Sequence, residues 1–190
     1  MYGVIDDPYS YKGTSVLKNR LGIRTQDELD DFEAEATAQR FSEPLPVGRC
    51  SVSHYCAIHR HIFGDVYRWA GRYRTVRIAK GGSMFAYPDY ITGSMRDLFR
   101  RLQDANRLQG LSAETYATRA AGFLANLNAI HPFRDGNGRT QLAFMAILSE
   151  EAGHPLNLER LEPEPFLQAM IASFRGDEAP LAGQLLDMTL

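Results

Sequence analysis

Nine consecutive residues in the second half of the chain combine side chains and glycines that could act together on a phosphate group. They are His131, Pro132, Phe133, Arg134, Asp135, Gly136, Asn137, Gly138 and Arg139. Two glycines within three residues allow backbone N–H groups to converge into an anion-binding nest. A helix that starts at Gly138 would direct the positive end of its dipole into the same space. The segment is therefore predicted to bind phosphate.

The charged and titratable side chains of this segment suit phosphoryl or nucleotidyl transfer. Asp135 is a hard oxygen ligand of the kind that Mg²⁺ takes singly or in pairs, together with water and substrate phosphates. Arg139, in the first helical turn, is unfavourable beside the helix dipole unless an anion lies close. His131 can accept a proton near neutral pH. A base, a metal carboxylate, an anion nest and an arginine together meet the requirements of such a transfer.

Each feature alone has a simpler structural explanation. A Gly-Asn-Gly turn commonly connects two helices and a His-Pro pair commonly ends one, so each alone favours a structural role by roughly four to one. The whole pattern H-x-F-x-[D/E]-G-N-G-R has odds on the order of one in ten million of arising by chance in such a chain. The combination therefore favours a functional site.

Helical periodicity surrounds this loop on both sides. Apolar residues from Tyr116 to Ile130 predict the most buried helix, which must end at His131 because the residue before a proline avoids the helical region. A second helix is predicted from Gly138 to about Gly153. The remaining helices are predicted at 25 to about 41, where Thr25 and Glu28 form a capping box, and at 55–62, 91–102, 166–174 and 181–188.

One stretch departs from the helical pattern. Residues 73–78 and 84–87 alternate in polarity on either side of the segment 79–83, which contains two glycines. This alternation predicts a small β-hairpin, which is stable only when it packs against other elements. The predicted fold class is therefore all-α, a helical bundle with one hairpin.

The composition limits the classes of function. The chain has 190 residues, about one domain, with 21 basic and 23 acidic side chains and a net charge of −2. This small net charge creates no electrostatic field that would bind nucleic acid or an acidic membrane surface non-specifically. Neither is therefore an expected partner. The sequence contains no 18-residue apolar run and no basic-then-apolar leader. We expect no membrane span and no cleaved secretion signal, and a cytoplasmic site of synthesis.

Two other groups of side chains are expected to be structural. Cys50 and Cys56 are expected to be reduced, and the spacing of His54, His59 and His61 disfavours a metal site beside them. Arg68, Arg72, Arg74 and Arg77 are expected to form a solvated basic face.

The loop from His131 to Arg139 resembles the signature of the Fic family, named for filamentation induced by cyclic AMP. Residues 63–71, which end in Trp-Ala-Gly, are similar to the family's W-A-G segment. Residues 7–22 are similar to the start of bacterial members that act as toxins or enter host cells. The resemblance spans about residues 7–153. It implies one Fic-like domain over 1–190, with N-terminal helices at 14–41, a core at about 50–153 and C-terminal helices at 164–189.

The resemblance implies a protein adenylyltransferase, which moves AMP from ATP to a Ser, Thr or Tyr hydroxyl of a target protein. His131 would be the general base, and Asp135 would hold Mg²⁺ against the phosphates. Phe133 would anchor the loop in the core. The residues implied to bind the nucleotide phosphates are Arg134, Gly136, Asn137, Gly138 and Arg139. If the chain is part of an effector, translocation into a host cell would follow its synthesis.

The hairpin corresponds to the family's target-docking flap, beside the active-site loop. An extended target segment can add to a hairpin edge through main-chain hydrogen bonds, which presents its side chain at a fixed depth. Ile78, Lys80 and Phe85 are the predicted docking residues, with Phe85 as an apolar clamp and Lys80 as a polar contact. A role only as a lid on the core fits these side chains equally well.

The family signature continues as G-N-G-R-x-x-R, and in the family its second arginine binds the γ-phosphate. This chain departs from that pattern, because Leu142 occupies the position of the second arginine. Losing a bidentate charge-assisted contact weakens binding by roughly 1.5–3 kcal/mol, or about ten- to a hundredfold. Three hypotheses remain: weak AMP transfer from ATP, transfer from another phosphate-bearing donor, and an inactive interaction module. The chain also lacks the family's inhibitory motif S/T-x-x-x-E-[G/N]. A small antitoxin-like protein is therefore a further expected partner.

Overall fold

The structure, a computed structural model, describes residues 7–80 and 82–190. Within these residues it contains seven α-helices and one two-stranded hairpin. The helices are α1 (Gln26–Phe41), α2 (Val52–Phe63), α3 (Pro88–Asp104), α4 (Ala113–Ile130), α5 (Asn137–Ala152), α6 (Pro163–Phe174) and α7 (Ala179–Met188). The strands are β1 (Ala79–Lys80) and β2 (Ser83–Met84). The predicted all-α class with one hairpin is confirmed.

Helix α4 is the central helix of the bundle. It packs against α3, α5, α6 and α7, and Tyr116, Leu124 and Leu127 on it are fully buried. Small alanines lie between its large side chains, so neighbouring helices can enclose it on several sides. Ser112 caps its first turn by accepting a hydrogen bond from the N–H of Thr115 at 3.4 Å. This enclosure fixes the position of the helix end from which the loop departs.

The N-terminal part of the chain is less helical than predicted. Residues 14–25 form no helix, so the helices expected at 14–41 reduce to α1. The Asn19 side chain donates to the carbonyls of Leu17 (3.0 Å) and Ile23 (2.8 Å) and accepts from the Ile23 N–H. An asparagine that binds nearby backbone in this way offers the chain an alternative to helical hydrogen bonds.

The hairpin is shorter than predicted, and its position is shifted. The strands expected at 73–78 and 84–87 are replaced by two-residue strands that include part of the expected turn. The paired residues are Ala79 with Met84 and Lys80 with Ser83.

The flanking backbone groups of the hairpin bind the end of α4 and the loop after it. The Arg74 N–H donates to the Pro132 carbonyl at 2.9 Å, and the Ala86 N–H donates to the Ala129 carbonyl at 3.1 Å. Buried N–H groups need partners, and here the partners lie in another element rather than in the opposite strand. These hydrogen bonds place the hairpin beside the loop, as predicted.

The two C-terminal helices, α6 and α7, occupy the predicted range and pack on α4. In the part of the chain that the structure describes, no helix has the length and apolar character needed to cross a bilayer.

Candidate active site

His131 ends α4 in a left-handed conformation, with φ of +49°, and its N–H donates to the Leu127 carbonyl at 3.0 Å. Its ring Nδ1 lies 3.2 Å from the carbonyl oxygen of Asn128. Because a carbonyl can only accept, Nδ1 carries the hydrogen and Nε2 keeps its lone pair. Burial lowers the pKa of His131 to about 3, so the ring is neutral at neutral pH. This is the protonation state that a general base requires.

The ring of Phe85, next to β2, covers the imidazole of His131. The two ring centroids are 3.8 Å apart and the planes are nearly parallel. The ring of Phe174 from α6 lies nearly perpendicular to that of Phe85, with the centroids 5.7 Å apart. Phe85 and His131 are 6% and 7% exposed. The structure therefore brings the predicted flap residue into direct contact with the predicted base.

The buried guanidinium of Arg74 joins the hairpin to the end of α4. Nε donates to the His131 carbonyl at 2.8 Å and Nη2 to the Ile130 carbonyl at 3.1 Å. Further hydrogen bonds reach the carbonyls of Val76 (2.7 Å) and Ala86 (2.6 Å) on the two sides of the hairpin base. A cation is favourable at the carboxyl end of a helix dipole. The expectation that Arg74 lies on a solvated basic face is wrong, since the side chain is 2% exposed.

The side chain of Asn137 closes the loop through two hydrogen bonds to Phe133. Its Oδ1 accepts from the Phe133 N–H and its Nδ2 donates to the Phe133 carbonyl, each at 2.9 Å. The Phe133 ring is fully buried, stacks on Tyr55 with centroids 5.4 Å apart, and acts as the expected anchor of the loop. The amide side chain of Asn137 is thus used inside the loop, which leaves its main-chain N–H for a ligand.

Helix α5 begins with backbone N–H groups that could bind an anion. The first intrahelical bond runs from the Thr140 N–H to the Gly136 carbonyl at 3.1 Å. The N–H groups of Asn137, Gly138 and Arg139 consequently have no partner within the helix. A Cβ atom added at Gly138 would meet nothing within 4 Å. The start of α5 is therefore open, as a phosphate-binding helix terminus must be.

Gly136 cannot be replaced without strain. Its φ is +76°, and an added Cβ would lie 2.4 Å from the ring of Phe63. The left-handed conformation and the close approach each require glycine.

The carboxylate of Asp135 stands beside this helix start. Its Oδ1 accepts from the Gly136 N–H at 2.6 Å. Burial raises its pKa, which is the expected effect of a low-dielectric environment on a carboxyl group. A single carboxylate fits Mg²⁺, which fills its other positions with water and phosphate oxygens.

His59 on α2 holds the main chain of the loop and was not predicted as a site residue. The Gly71 N–H donates to its Nδ1 at 2.9 Å, so Nε2 carries the hydrogen and donates to the Asp135 carbonyl at 3.0 Å. Burial lowers the pKa of His59 to about 4, which keeps the ring neutral. The contact joins positions 76 residues apart in sequence, so no local pattern could have indicated it.

The other histidines and cysteines of this stretch make separate contacts. Nε2 of His54 and Nε2 of His61 each lie beside a main-chain carbonyl, Nδ1 of His54 accepts from the Cys50 N–H, and Cys50 and Cys56 are both free thiols. Across 7–80 and 82–190, no three His, Cys, Asp or Glu side chains lie close enough to share a metal ion.

The side chain of Arg139 extends from α5 toward α1 and α2. Its Cζ lies 4.5 Å from the ring centroid of Phe63, and its Nη2 contacts the carboxylate of Glu33. About 38% of the side chain remains exposed. Leu142, one turn further along α5, is partly buried against the core.

Residues 49–149 match the sequence model of the Fic/DOC family. The chain belongs to this family. A probable protein adenylyltransferase of Sinorhizobium fredii, y4lH, is 48% identical to it over 188 residues, with 98% of each chain covered. Among solved Fic structures, BepC, a VirB-translocated effector of Bartonella tribocorum with bound AMPPNP, has a TM-score of 0.84 at 27% identity and covers 96% of each chain. The Fic domain of a putative Bartonella quintana cell filamentation protein, with bound ADP, has a TM-score of 0.86 at 31% identity, with 96% of this chain and 94% of that chain covered.

Two of the predicted site residues are in positions that do not suit their predicted roles. Arg134 forms a buried ion pair with Asp7, at 2.6 Å between Nη2 and Oδ2, which ties the N-terminal segment to the Fic loop. Ile78 is 1% exposed, so its side chain cannot contact a docked protein. Lys80, in contrast, is exposed on β1. We leave Arg134 out of the phosphate ligands and Ile78 out of the docking residues.

Proposed function

We propose that this Fic chain is a protein adenylyltransferase, which transfers AMP from ATP to a Ser, Thr or Tyr hydroxyl of a target protein. The observation that carries the proposal is the fixed tautomer of His131. A neutral ring with its lone pair on Nε2 lies at one end of a short loop, and the open N-terminus of α5 lies at the other. The name of the Sinorhizobium relative and the AMPPNP and ADP in the two Bartonella structures support a nucleotide substrate.

The proposed reaction is one in-line displacement at the α-phosphorus. Nε2 of His131 takes the proton of the target hydroxyl as its oxygen attacks. The new P–O bond forms as the bond between the α-phosphorus and the pyrophosphate oxygen breaks, and pyrophosphate leaves. The N–H groups of Gly138 and Asn137 and the guanidinium of Arg139 stabilise the charge on the phosphate oxygens.

Asp135 is the residue proposed to hold Mg²⁺. Its Oδ1 already accepts from the Gly136 N–H, which orients the carboxylate and leaves Oδ2 for the cation. A bound Mg²⁺ supplies positive charge that favours departure of pyrophosphate.

The hairpin strand β1, which carries the exposed Lys80, is the proposed docking edge for the target. An extended segment that pairs with this edge gains main-chain hydrogen bonds whatever its sequence. Phe85 then acts as the apolar clamp above His131, and its ring must share that space with the target side chain. An antitoxin-like partner and translocation into a host cell remain predictions.

A donor without a γ-phosphate is the second candidate, and Leu142 favours it. The γ-phosphate arginine of the family is replaced here by a side chain that packs against the core. A comparison of ATP and ADP as donors for the natural chain distinguishes the two candidates. Leu142→Arg restores the missing contact and is expected to bind ATP about ten- to a hundredfold more tightly than the natural chain. If ADP or another donor transfers its nucleotide group faster than ATP in the natural chain, the second candidate replaces the first.

Transfer of labelled AMP to protein tests the main proposal. His131→Ala is expected to lower the transfer rate by about 10²–10⁴-fold, because a general base contributes that much, while ATP binding measured by calorimetry is retained. His61→Ala, which removes a histidine outside the site, is the matched control and keeps the natural rate. Unchanged transfer by His131→Ala, or no transfer by the natural chain with ATP bound, contradicts the proposal.

A further inference from the structure

Glu33, in the middle of α1, connects that helix to the arginine of the Fic loop. One oxygen of its carboxylate contacts Nη2 of Arg139, 106 residues away in sequence. The other oxygen accepts a hydrogen bond from the hydroxyl of Tyr67. The Glu33 side chain is 16% exposed, and Tyr67 is buried. A largely buried carboxylate is thus held on both of its oxygens.

The guanidinium of Arg139 is supported from three directions. Phe63 lies beneath it, Glu33 binds Nη2, and the hydroxyl oxygen of Thr37 lies 3.5 Å from Nη1. Within the described residues, its Nε makes no hydrogen bond. A guanidinium has five N–H donors in a rigid plane, so contacts on one edge orient the other edge. The exposed part of the side chain is therefore presented in one fixed orientation.

The hydrogen bond from Tyr67 indicates that Glu33 orients Arg139 and does not compete with phosphate for it. A competing carboxylate would have to move away when a phosphate binds. Movement of Glu33 would break the hydrogen bond from Tyr67 and leave a buried hydroxyl without a partner, which is costly. A carboxylate that stays in place can instead hold one edge of the guanidinium while the other edge binds the ligand.

We propose that Glu33 is a positioning residue, which together with Tyr67 fixes Arg139 toward the phosphates of the nucleotide. The inference rests on the proposed function, because it takes a phosphate-bearing nucleotide as the ligand. The orientation of Arg139 matters more in this chain, because Leu142 replaces the second arginine of the family motif and Arg139 is the one that remains.

Nucleotide binding to the full chain tests the inference without a target protein. Glu33→Gln keeps the shape of the side chain and removes its charge, and Tyr67→Phe removes only the hydroxyl. Each is expected to raise the Kd for ATP, Glu33→Gln by about tenfold, as for a charge-assisted hydrogen bond. The Kd for adenosine, which has no phosphate, stays unchanged. Glu35→Gln on the exposed face of α1 is the matched control and changes neither value.

A double-mutant cycle separates positioning from a general effect on the fold. In the Arg139→Ala background, Glu33→Gln is expected to cause no further loss of ATP affinity, because its effect passes through that guanidinium. Additive losses, an equal loss of adenosine affinity, or unchanged ATP affinity in Glu33→Gln would overturn the inference. Tighter ATP binding by Glu33→Gln would also overturn it, and would identify Glu33 as a competitor of phosphate.

The inference and the proposed function fail in distinguishable ways. If the natural chain binds ATP with the expected dependence on Glu33 but transfers no AMP, the positioning role stands and the transferase proposal fails. If the natural chain binds no phosphate-bearing nucleotide, both fail.

Discussion

The ring of Phe85 lies parallel to that of His131, with centroids 3.8 Å apart and planes 13° apart. This stack removes water from the imidazole and favours its neutral form. It also covers a base that must reach a hydroxyl group of another protein. The hairpin thus both protects the base and controls access to it.

Phe85→Ala should raise the pKa of His131 from about 3 toward its ordinary value of 6.5. Burial is the largest cause of the low pKa, and the variant admits water, whereas Arg74 and Lys80 stay and keep the pKa somewhat below 6.5. Because its pKa is higher, the base of the variant becomes protonated at a higher pH than in the natural chain. Transfer by the variant should therefore decline below about pH 6. NMR titration of the His131 ring measures the pKa directly.

Tyr87→Ala, which removes an exposed ring from the same segment, is the control for that titration. It should leave the pKa of His131 and the pH profile of transfer unchanged. A His131 resonance that still titrates below pH 4 in Phe85→Ala would contradict the explanation by burial.

Arg74→Met should destabilise the fold by about 3 kcal/mol or more. The variant removes the donor of four carbonyl groups, two in buried and two in partly buried hydrogen bonds, and each unsatisfied buried group costs about 1–3 kcal/mol before relaxation. Arg74→Lys should recover only part of the loss, because an ammonium group cannot reproduce the planar array of donors. Urea unfolding gives the free energies, with the exposed Arg72→Met as the control. Equal stability of Arg74→Met and Arg72→Met would refute the role of the guanidinium.

Local patterns predicted the helices on either side of the loop, while the residues that support the site are brought there by contacts between distant parts of the sequence. The end of α4 at His131 follows from Pro132, and the start of α5 follows from the glycines, because both depend on neighbouring residues. Arg74 and Glu33 are ordinary charged residues in the sequence. Their burial depends on which carbonyl groups and which arginine the folded chain brings to them, so composition and periodicity could not indicate it.

Asn137→Asp should weaken the loop by about 2 kcal/mol. The aspartate can still accept from the Phe133 N–H but cannot donate to the Phe133 carbonyl, which then faces a negatively charged oxygen. The new charge also lies beside the N–H groups of α5, so the Kd for ATP should rise. Asn126→Asp, on the exposed face of α4, is the matched control. Unfolding free energies and ATP affinities that equal those of the control would show that the side-chain lock is unimportant.

Gly136→Ala and Gly138→Ala form a pair that separates folding from ligand binding. At Gly136 the new methyl group meets the ring of Phe63 and the backbone has a positive φ, so the variant should lose about 2–4 kcal/mol of stability. At Gly138 the methyl group enters open space at the start of a helix. Alanine is favoured over glycine there by up to about 1 kcal/mol, so stability should stay level or rise.

The same methyl group at Gly138 should nonetheless obstruct the nucleotide. It projects into the open region where the N–H groups of α5 are proposed to meet phosphate, and close backbone approach to phosphate is a reason for glycine. The expected result for Gly138→Ala is a normal unfolding midpoint in urea with a Kd for ATP raised at least severalfold. A variant that is as stable as the natural chain and binds ATP equally well would place the phosphates away from the start of α5.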